Sequence, residues 1–115
     1  MKHVHYTDVA LENVEEEGAK DAKVRWLITK EDGAENFAMR LFEVEPNGYT
    51  PYHQHDWEHE VFVLEGEGVA RHEDGEAPLR RGDVLFVPPM TWHSIKNTGK
   101  GVLKFLCLIP YKKGL

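Results

Sequence analysis

The sequence predicts an all-β protein built as a single-domain sandwich or barrel. Turn signals recur along the chain, among them Asp32-Gly33, Pro46-Asn47-Gly48, Asp74-Gly75, Arg81-Gly82 and Asn97-Thr98-Gly99. Between them lie short runs rich in β-branched and aromatic residues, such as VRWLIT, HEVFVLEG and VLKFLCLIP. Regularly spaced turns with such runs between them are typical of β-sandwiches and β-barrels. The length of 115 residues suits one domain.

Composition argues against several classes of partner. The chain carries 20 acidic residues against 14 lysines and arginines, a formal net charge of -6. Binding to nucleic acid needs clustered basic residues, so we expect no nucleic-acid partner. No segment approaches the roughly 20 apolar residues of a membrane span, and the N-terminus lacks the apolar run of a signal peptide. The single cysteine, Cys107, fits a reducing compartment, so we expect a cytoplasmic protein.

One run predicts a covered outer face. Val61, Phe62, Val63 and Leu64 are successive apolar residues, which indicates a strand that is buried on both sides. A barrel covers its own inner face, whereas the outer face needs the N-terminal segment or another subunit. This pattern favours a homodimer.

Four histidines are candidate metal ligands. His53 and His55 alternate along an extended segment, so both point to one face about 7 Å apart along the backbone. Two imidazoles at that spacing can converge on one ion at roughly 2.0–2.2 Å. His59 has the same inward parity as Val61, and His93 follows a Pro-Pro turn further along the chain.

Two stretches resemble the paired motifs of the cupin superfamily. The first has glycine, a His-x-His pair, a third ligand and a second glycine, and the second has glycine, proline, histidine and asparagine. The matching residues are Gly48, His53, His55 and Gly66, then Gly82, Pro88, His93 and Asn97, with Met90 in place of a usual glycine. The motifs span about residues 48–97.

The resemblance implies a double-stranded β-helix, or jelly-roll barrel, as one domain over residues 1–115 with an N-terminal arm over about residues 1–23. His59 stands where most cupins carry glutamate. A smaller group of short cupins has histidine there, which implies a four-histidine site of the kind usually assigned manganese. The alternative register makes Glu60 the third ligand, although its parity points outward with Phe62 unless a bulge intervenes.

The donor set determines the chemistry that we expect. Four neutral imidazoles leave a divalent ion its full +2 charge, which makes it a strong Lewis acid that attracts anions. A tetrahedral ion such as Zn(II) would be saturated by four imidazoles, whereas an octahedral ion keeps two positions free. We expect one divalent ion, Mn(II) before Fe(II), Ni(II) or Zn(II).

A second set of residues is predicted to form the pocket around the ion. In the last strand, Lys104 should face solvent, so Phe105 and Cys107 face inward, and Cys107 is either a core thiol or part of the pocket wall. Arg40 is either exposed or an anchor for an anion. The predicted lining comprises Arg40, Phe42, Trp57, Val61, Val63, Phe105 and Cys107.

The remaining candidates are interpreted as surface residues. His3, His5 and His72 lie in terminal or polar stretches, and the run from Glu15 to Glu17 is interpreted as a solvated turn.

From these features the first hypothesis for function is a metal-dependent, dioxygenase-like oxidoreductase that acts on a small organic molecule. The alternatives are a non-catalytic module that binds a small molecule, with a structural metal, and a metal-dependent isomerase or lyase. The fold supports many functions, so it cannot choose among them.

Overall fold

A computed structural model describes residues 1–111 of the chain. The predicted all-β class is confirmed, because nine strands and two short 3-10 turns make up the regular structure of these residues. The strands are β1 (Glu12–Asn13), β2 (Lys20–Ile28), β3 (Phe37–Tyr49), β4 (His59–Glu65), β5 (Glu67–His72), β6 (Gly75–Arg80), β7 (Val84–Val87), β8 (His93–Asn97) and β9 (Leu103–Pro110).

All strand pairs are antiparallel, and the sheet runs in the order β6-β5-β8-β3-β9-β4-β7, with β2 along β3 and β1 along β2. The sheet curls into a half-barrel, which is the jelly-roll architecture that the motif resemblance implies. The long strand β3 is its centre, because it pairs with β2 and with β9 and reaches β8 where Tyr49 lies opposite Lys96. The strand β2 begins at Lys20, so the N-terminal arm ends slightly before the predicted boundary near residue 23.

The core lies inside the curl and follows from the alternation of side chains along each strand. In β9 the side chains of Leu103, Phe105, Cys107 and Ile109 are 0–5% exposed, whereas the residues between them are partly exposed. Burying an apolar side chain of this size stabilises the fold by about 1.5–3 kcal/mol. These alternating residues form the barrel's inner wall.

The outer face of β4 and its neighbour β7 is apolar and exposed in the single chain. Phe62 is 44% exposed, Leu64 40%, Val84 75% and Phe86 55%. Phe62 lies opposite Val84 in the register, so these side chains form one surface. The homodimer stays a prediction, and this surface is where we expect the second subunit.

The second motif contains two structural residues. Asn97 is fully buried, and its side-chain amide donates to the carbonyl oxygens of Val44 and Gly101 at 2.8 Å each. Met90 takes a left-handed backbone conformation with φ at 61°, the region that glycine adopts most readily. The Met90 amide donates to the carbonyl of His55 at 2.6 Å, which joins the turn before β8 to the segment that carries the His-x-His pair.

No helix among residues 1–111 is long and apolar enough to cross a membrane.

Candidate metal centre

Three segments of the barrel carry the four histidines. His59 is the first residue of β4 and His93 the first of β8, whereas His53 and His55 lie in the connection from β3 to β4. Two backbone hydrogen bonds hold the connection against β8: the amide of His53 donates to the carbonyl of His93 at 3.1 Å, and the reverse bond measures 2.9 Å. The two motifs are therefore joined at the site itself.

His53, His55 and His93 form a compact group of nitrogen donors. Their candidate ligand atoms lie within 4.8 Å of one another. The two Nε2 atoms of His53 and His55 are 3.2 Å apart. Two nitrogens bound to one ion at about 2.1 Å, with an angle of about 90–110° between them, would be separated by roughly 3.0–3.4 Å. The spacing in this cluster therefore suits a shared ion.

In two of these histidines, His53 and His93, the Nδ1 atom on the far side of the ring from Nε2 contacts an oxygen acceptor outside the cluster. His53 Nδ1 is 2.5 Å from the carboxylate of Glu16, and His93 Nδ1 is 2.8 Å from the carbonyl oxygen of Thr91. An Nδ1–H that donates to an acceptor leaves Nε2 unprotonated and able to bind a metal, and histidine ligands usually have such a partner. The outer contacts therefore direct both Nε2 atoms toward the centre of the cluster.

His59 is not among the three residues whose candidate ligand atoms all lie within 4.8 Å of one another, although its ring is no farther from those of His55 and His93 than these two are from each other, at 5.9 Å. Its ring centroid is 4.8 Å from that of His93 and 5.4 Å from that of His55. The residue is only 6% exposed, and its Nδ1 is 3.3 Å from the sulfur of Cys107. Its Nε2 is buried and has no hydrogen-bond partner. A buried nitrogen lone pair without a donor is a place that a cation would satisfy, so the donor set fits a divalent ion.

Burial keeps the imidazoles uncharged. Burial, reinforced by the neighbouring His93 and Arg40, lowers the pKa of His59 to about 3. Burial and the adjacent His53 lower the pKa of His55 to about 4. The pKa of His93 is also lowered by burial, and its contact with the backbone of Thr91 opposes that shift. These three rings are neutral at pH 7, which is the form that binds a metal.

The cluster forms one end of a cavity of about 340 Å³ inside the barrel. Its lining includes the predicted Arg40, Phe42, Trp57, Val61, Phe105 and Cys107. We also expected Val63 in the lining. It lies instead in the core with no exposed surface, two residues beyond Val61 on β4. Phe42 and Phe105 stack with ring centroids 5.1 Å apart and form a flat apolar wall.

Arg40 and Cys107 meet beside His59. The guanidinium Nη2 of Arg40 donates to the Cys107 sulfur at 3.0 Å and lies 3.5 Å from His59 Nδ1. Burial raises the pKa of the Cys107 thiol, and the charge of Arg40 opposes that effect. Both residues line the cavity, and Cys107 belongs to the buried core as well, so it combines the two roles considered for it.

Glu16 and Trp26 belong to the site but were not predicted from the sequence to do so. Glu16 was interpreted as part of a solvated turn, but its carboxylate contacts His53 and it is half exposed at the cavity mouth. Nothing in a run of three glutamates distinguishes the middle one, because the contact depends on how the arm crosses the barrel. Trp26 lies opposite Arg40 in the pairing of β2 with β3, which places its ring in the cavity lining.

The other histidines lie apart from the cluster. His3, His5 and His72 are exposed, as expected for terminal and polar stretches. Two of them make hydrogen bonds with nearby residues of the chain. His5 Nδ1 lies 2.7 Å from the Thr7 hydroxyl, and His72 Nδ1 accepts a hydrogen bond from the amide of Asp74 at 3.3 Å.

Replacing Glu16 tests the outer contact of the cluster. We expect Glu16→Gln to weaken metal affinity about tenfold, because His53 loses the carboxylate that orients its ring and fixes its tautomer. Affinity is measured by competition with a chromophoric chelator at pH 7. Glu15→Gln and Glu17→Gln are matched controls, because both residues are exposed neighbours that carry the same charge. Equal affinities of all three variants would contradict the assigned contact.

Comparisons with known proteins agree with the fold. Residues 40–109, more than half of the chain, match the family described as "Cupin domain". An oxalate-binding protein of Thermotoga maritima is 34% identical over 96 residues, which cover 80% of this chain and 78% of that protein. Gentisate 1,2 dioxygenase 1 of Aquipseudomonas alcaligenes is 30% identical over 107 residues, which are 83% of this chain but 31% of that enzyme.

Among solved structures, the polyketide cyclase RemF from Streptomyces resistomycificus superimposes with a TM-score of 0.93 at 39% identity, covering 100% of this chain and 82% of that one. A predicted oxalate decarboxylase from Thermotoga maritima has a TM-score of 0.84 at 28% identity, covering 95% of this chain and 98% of that one. The family match and these relatives, joined to the paired histidine motifs at one end of a curled antiparallel barrel, establish that the chain belongs to the cupin domain family.

Proposed function

We propose that this cupin is a metal-dependent enzyme that closes a carbon ring in a small, oxygen-rich, polyketide-type molecule. The observation that carries the proposal is the convergence of imidazole nitrogens in a cavity with aromatic walls. The relative that supports ring closure is the polyketide cyclase RemF, because the likeness extends over the whole chain at 39% identity. An aldol condensation forms a carbon–carbon bond and releases water, so it needs no oxidant.

The proposed cofactor is one divalent metal ion. When bound, it would supply Lewis acidity that polarises two oxygens of a chelating substrate and so acidifies the C–H bond between two carbonyl groups. The motif resemblance favours Mn(II), whereas imidazole donors equally suit Fe(II), Ni(II) and Zn(II). Elemental analysis of protein purified without a metal-binding tag identifies the ion.

The residues of the chain supply binding and orientation. The stacked rings of Phe42 and Phe105 offer a flat wall for a planar molecule, and Trp57 stacks on His55 at 4.3 Å between ring centroids. These walls exclude water from the reacting groups, which strengthens every polar interaction within the cavity. The cavity volume lies at the lower end of the range for small-molecule sites.

We further propose that His59 is the fourth metal ligand, which places the chain in the four-histidine group of cupins. The support is its buried, unpartnered Nε2 and its Nδ1 contact with Cys107. Glu60, the alternative ligand, is exposed on the outer face of β4.

Substitution at these two positions tests the fourth ligand. We expect His59→Ala to weaken metal affinity by more than tenfold, a larger loss than an outer contact gives, whereas Glu60→Ala leaves it within twofold. Both affinities are measured by chelator competition, with folding checked by circular dichroism. If Glu60→Ala lost more metal affinity than His59→Ala, the fourth ligand would be Glu60 and not His59.

Two alternative functions, a dioxygenase and a non-catalytic binding module, are each supported by a similar protein. The Aquipseudomonas alcaligenes dioxygenase supports the dioxygenase-like oxidoreductase predicted from the sequence, although this chain spans 31% of that enzyme. The Thermotoga maritima protein supports a module that binds a small dicarboxylate without converting it. These functions differ from cyclisation in whether oxygen is consumed and in whether the ligand is changed at all.

One assay distinguishes the three functions. Metal-loaded protein is incubated with a linear triketo acid, and separately with gentisate and with oxalate, while an oxygen electrode and mass spectrometry follow each mixture. We expect the triketo acid to give a cyclic product lighter by one water, without oxygen uptake and only with metal present. Oxygen uptake with gentisate would establish the dioxygenase, and unchanged ligands that nevertheless bind would establish the binding module.

The homodimer and the cytoplasmic location are also proposals. The exposed apolar surface of β4 and β7 supports the first, and the use of a single buried cysteine supports the second.

A further inference from the structure

Three buried polar atoms among residues 1–111 have no hydrogen-bond partner, and all three belong to residues that line the same cavity. They are Nε of Arg40, Nε1 of Trp57 and Nε2 of His59. Buried polar groups are nearly always paired, so an unpaired one calls for an explanation. A metal ion accounts for His59. Two N–H donors then remain, both next to the cluster, since Arg40 lies beside His59 and Trp57 stacks on His55.

Arg40 is held in place but its charge is not balanced. Its guanidinium lies 5.4 Å from the ring centroid of Trp26 and 4.9 Å from that of Phe42. Within residues 1–111 no carboxylate lies in ion-pair range of it. By contrast, Arg25 on the neighbouring strand pairs with Glu43 at 2.8 Å. Aromatic faces fix the plane of the Arg40 guanidinium but leave its positive charge without an anionic partner.

Once the imidazole lone pairs are given to the ion, the N–H groups of Arg40 and Trp57 are left without acceptors to match them. Among residues 1–111, Glu16 is the only acidic residue that lines the cavity, and its carboxylate already contacts His53. The two oxygens of Thr50, which also lines the cavity, already have donors: its hydroxyl accepts a hydrogen bond from the amide of Ile95, and its carbonyl oxygen accepts one from the hydroxyl of Ser94. A molecule that fills this space must therefore bring its own acceptors, and a negative charge suits it better than none.

We infer that Arg40 binds a carboxylate of the substrate, so that the substrate class is a planar organic acid. The guanidinium presents N–H groups in a fixed plane that matches the two oxygens of a carboxylate. Nη2 of Arg40 lies 3.5 Å from Nδ1 of His59, so the carboxylate site adjoins the metal cluster through one imidazole ring. The substrate therefore carries its chelating oxygens close to the carboxylate, as a β-keto acid or an ortho-hydroxy aromatic acid does.

This inference rests on the proposed function, and its test separates the two. Benzoate and benzamide have the same size and shape and differ in charge, so their affinities for metal-loaded protein isolate the contribution of the anion. We expect benzoate to bind at least tenfold more tightly, as is typical of a hydrogen bond to a charged group, and Arg40→Gln to abolish that preference. Affinities are measured by isothermal titration calorimetry, with metal content determined for each preparation.

Two further variants make the test specific. Arg71→Gln removes an arginine on β5 that is 43% exposed at its side chain and lies outside the cavity lining, so it should keep the full preference. Arg40→Lys keeps the charge but not the planar fork, and it should bind benzoate three- to tenfold more weakly than the wild type even if Arg40→Gln does not fold.

The outcomes that overturn the inference are distinct from failure of the proposed function. Equal binding of benzoate and benzamide by the wild type, or unchanged benzoate affinity in Arg40→Lys, contradicts it. A preference that survives Arg40→Gln but disappears on metal removal assigns anion selection to the ion and also contradicts it. A wild-type protein that holds no metal but still prefers benzoate through Arg40 would support the carboxylate site while refuting the metal-dependent enzyme.

Discussion

The site depends on the pair of backbone hydrogen bonds between His53 and His93. These residues are far apart in the chain, and each donates its amide to the carbonyl of the other at 3.1 and 2.9 Å. A backbone bridge of this kind fixes the relative position of two side chains more firmly than side-chain contacts can, because it removes the freedom of both segments at once. The Met90 amide strengthens the same junction by donating to the carbonyl of His55. The approach of the His53, His55 and His93 imidazoles therefore depends on the backbone junction between their two segments.

The electrostatics of the cavity follow from what the barrel buries. Low pKa values keep His55 and His59 neutral at pH 7, so these groups contribute donor atoms without charge. Arg40 adds a fixed positive charge at the same wall, in a chain whose overall formal charge is -6. The negative charge of the chain as a whole therefore does not extend to the wall of the cavity that carries Arg40. A divalent ion would add to the interior charge, which is why an anionic ligand suits the cavity.

The fold was predictable from the sequence because it depends on periodicity. The burial of Leu103, Phe105 and Cys107 follows the alternation of side chains along β9, and most turn signals lie between strands. The exception is Pro46-Asn47-Gly48, which was expected to be a turn but lies within β3, where Asn47 has a φ of 69° and the register with β2 shifts. For His53 and His55 the expected alternation along a strand does not apply, because both lie in the connection from β3 to β4, where backbone hydrogen bonds between His53 and His93 hold that segment. The role of Glu16 was not predictable, because it depends on the path of the arm across the cavity mouth. The placement of Val63 in the core rather than the cavity reflects how deep the cavity reaches along β4, a distance that alternation does not encode.

The central claim is that one metal ion is bound by the Nε2 atoms of the clustered histidines. Anomalous diffraction from crystals of the metal-loaded protein, collected on both sides of the absorption edge of the bound element, locates that ion directly. We expect one peak per chain, about 2.0–2.3 Å from Nε2 of His53, His55 and His93. A peak at another position, contact through Nδ1, or fully loaded crystals whose imidazoles turn away from the metal would contradict it.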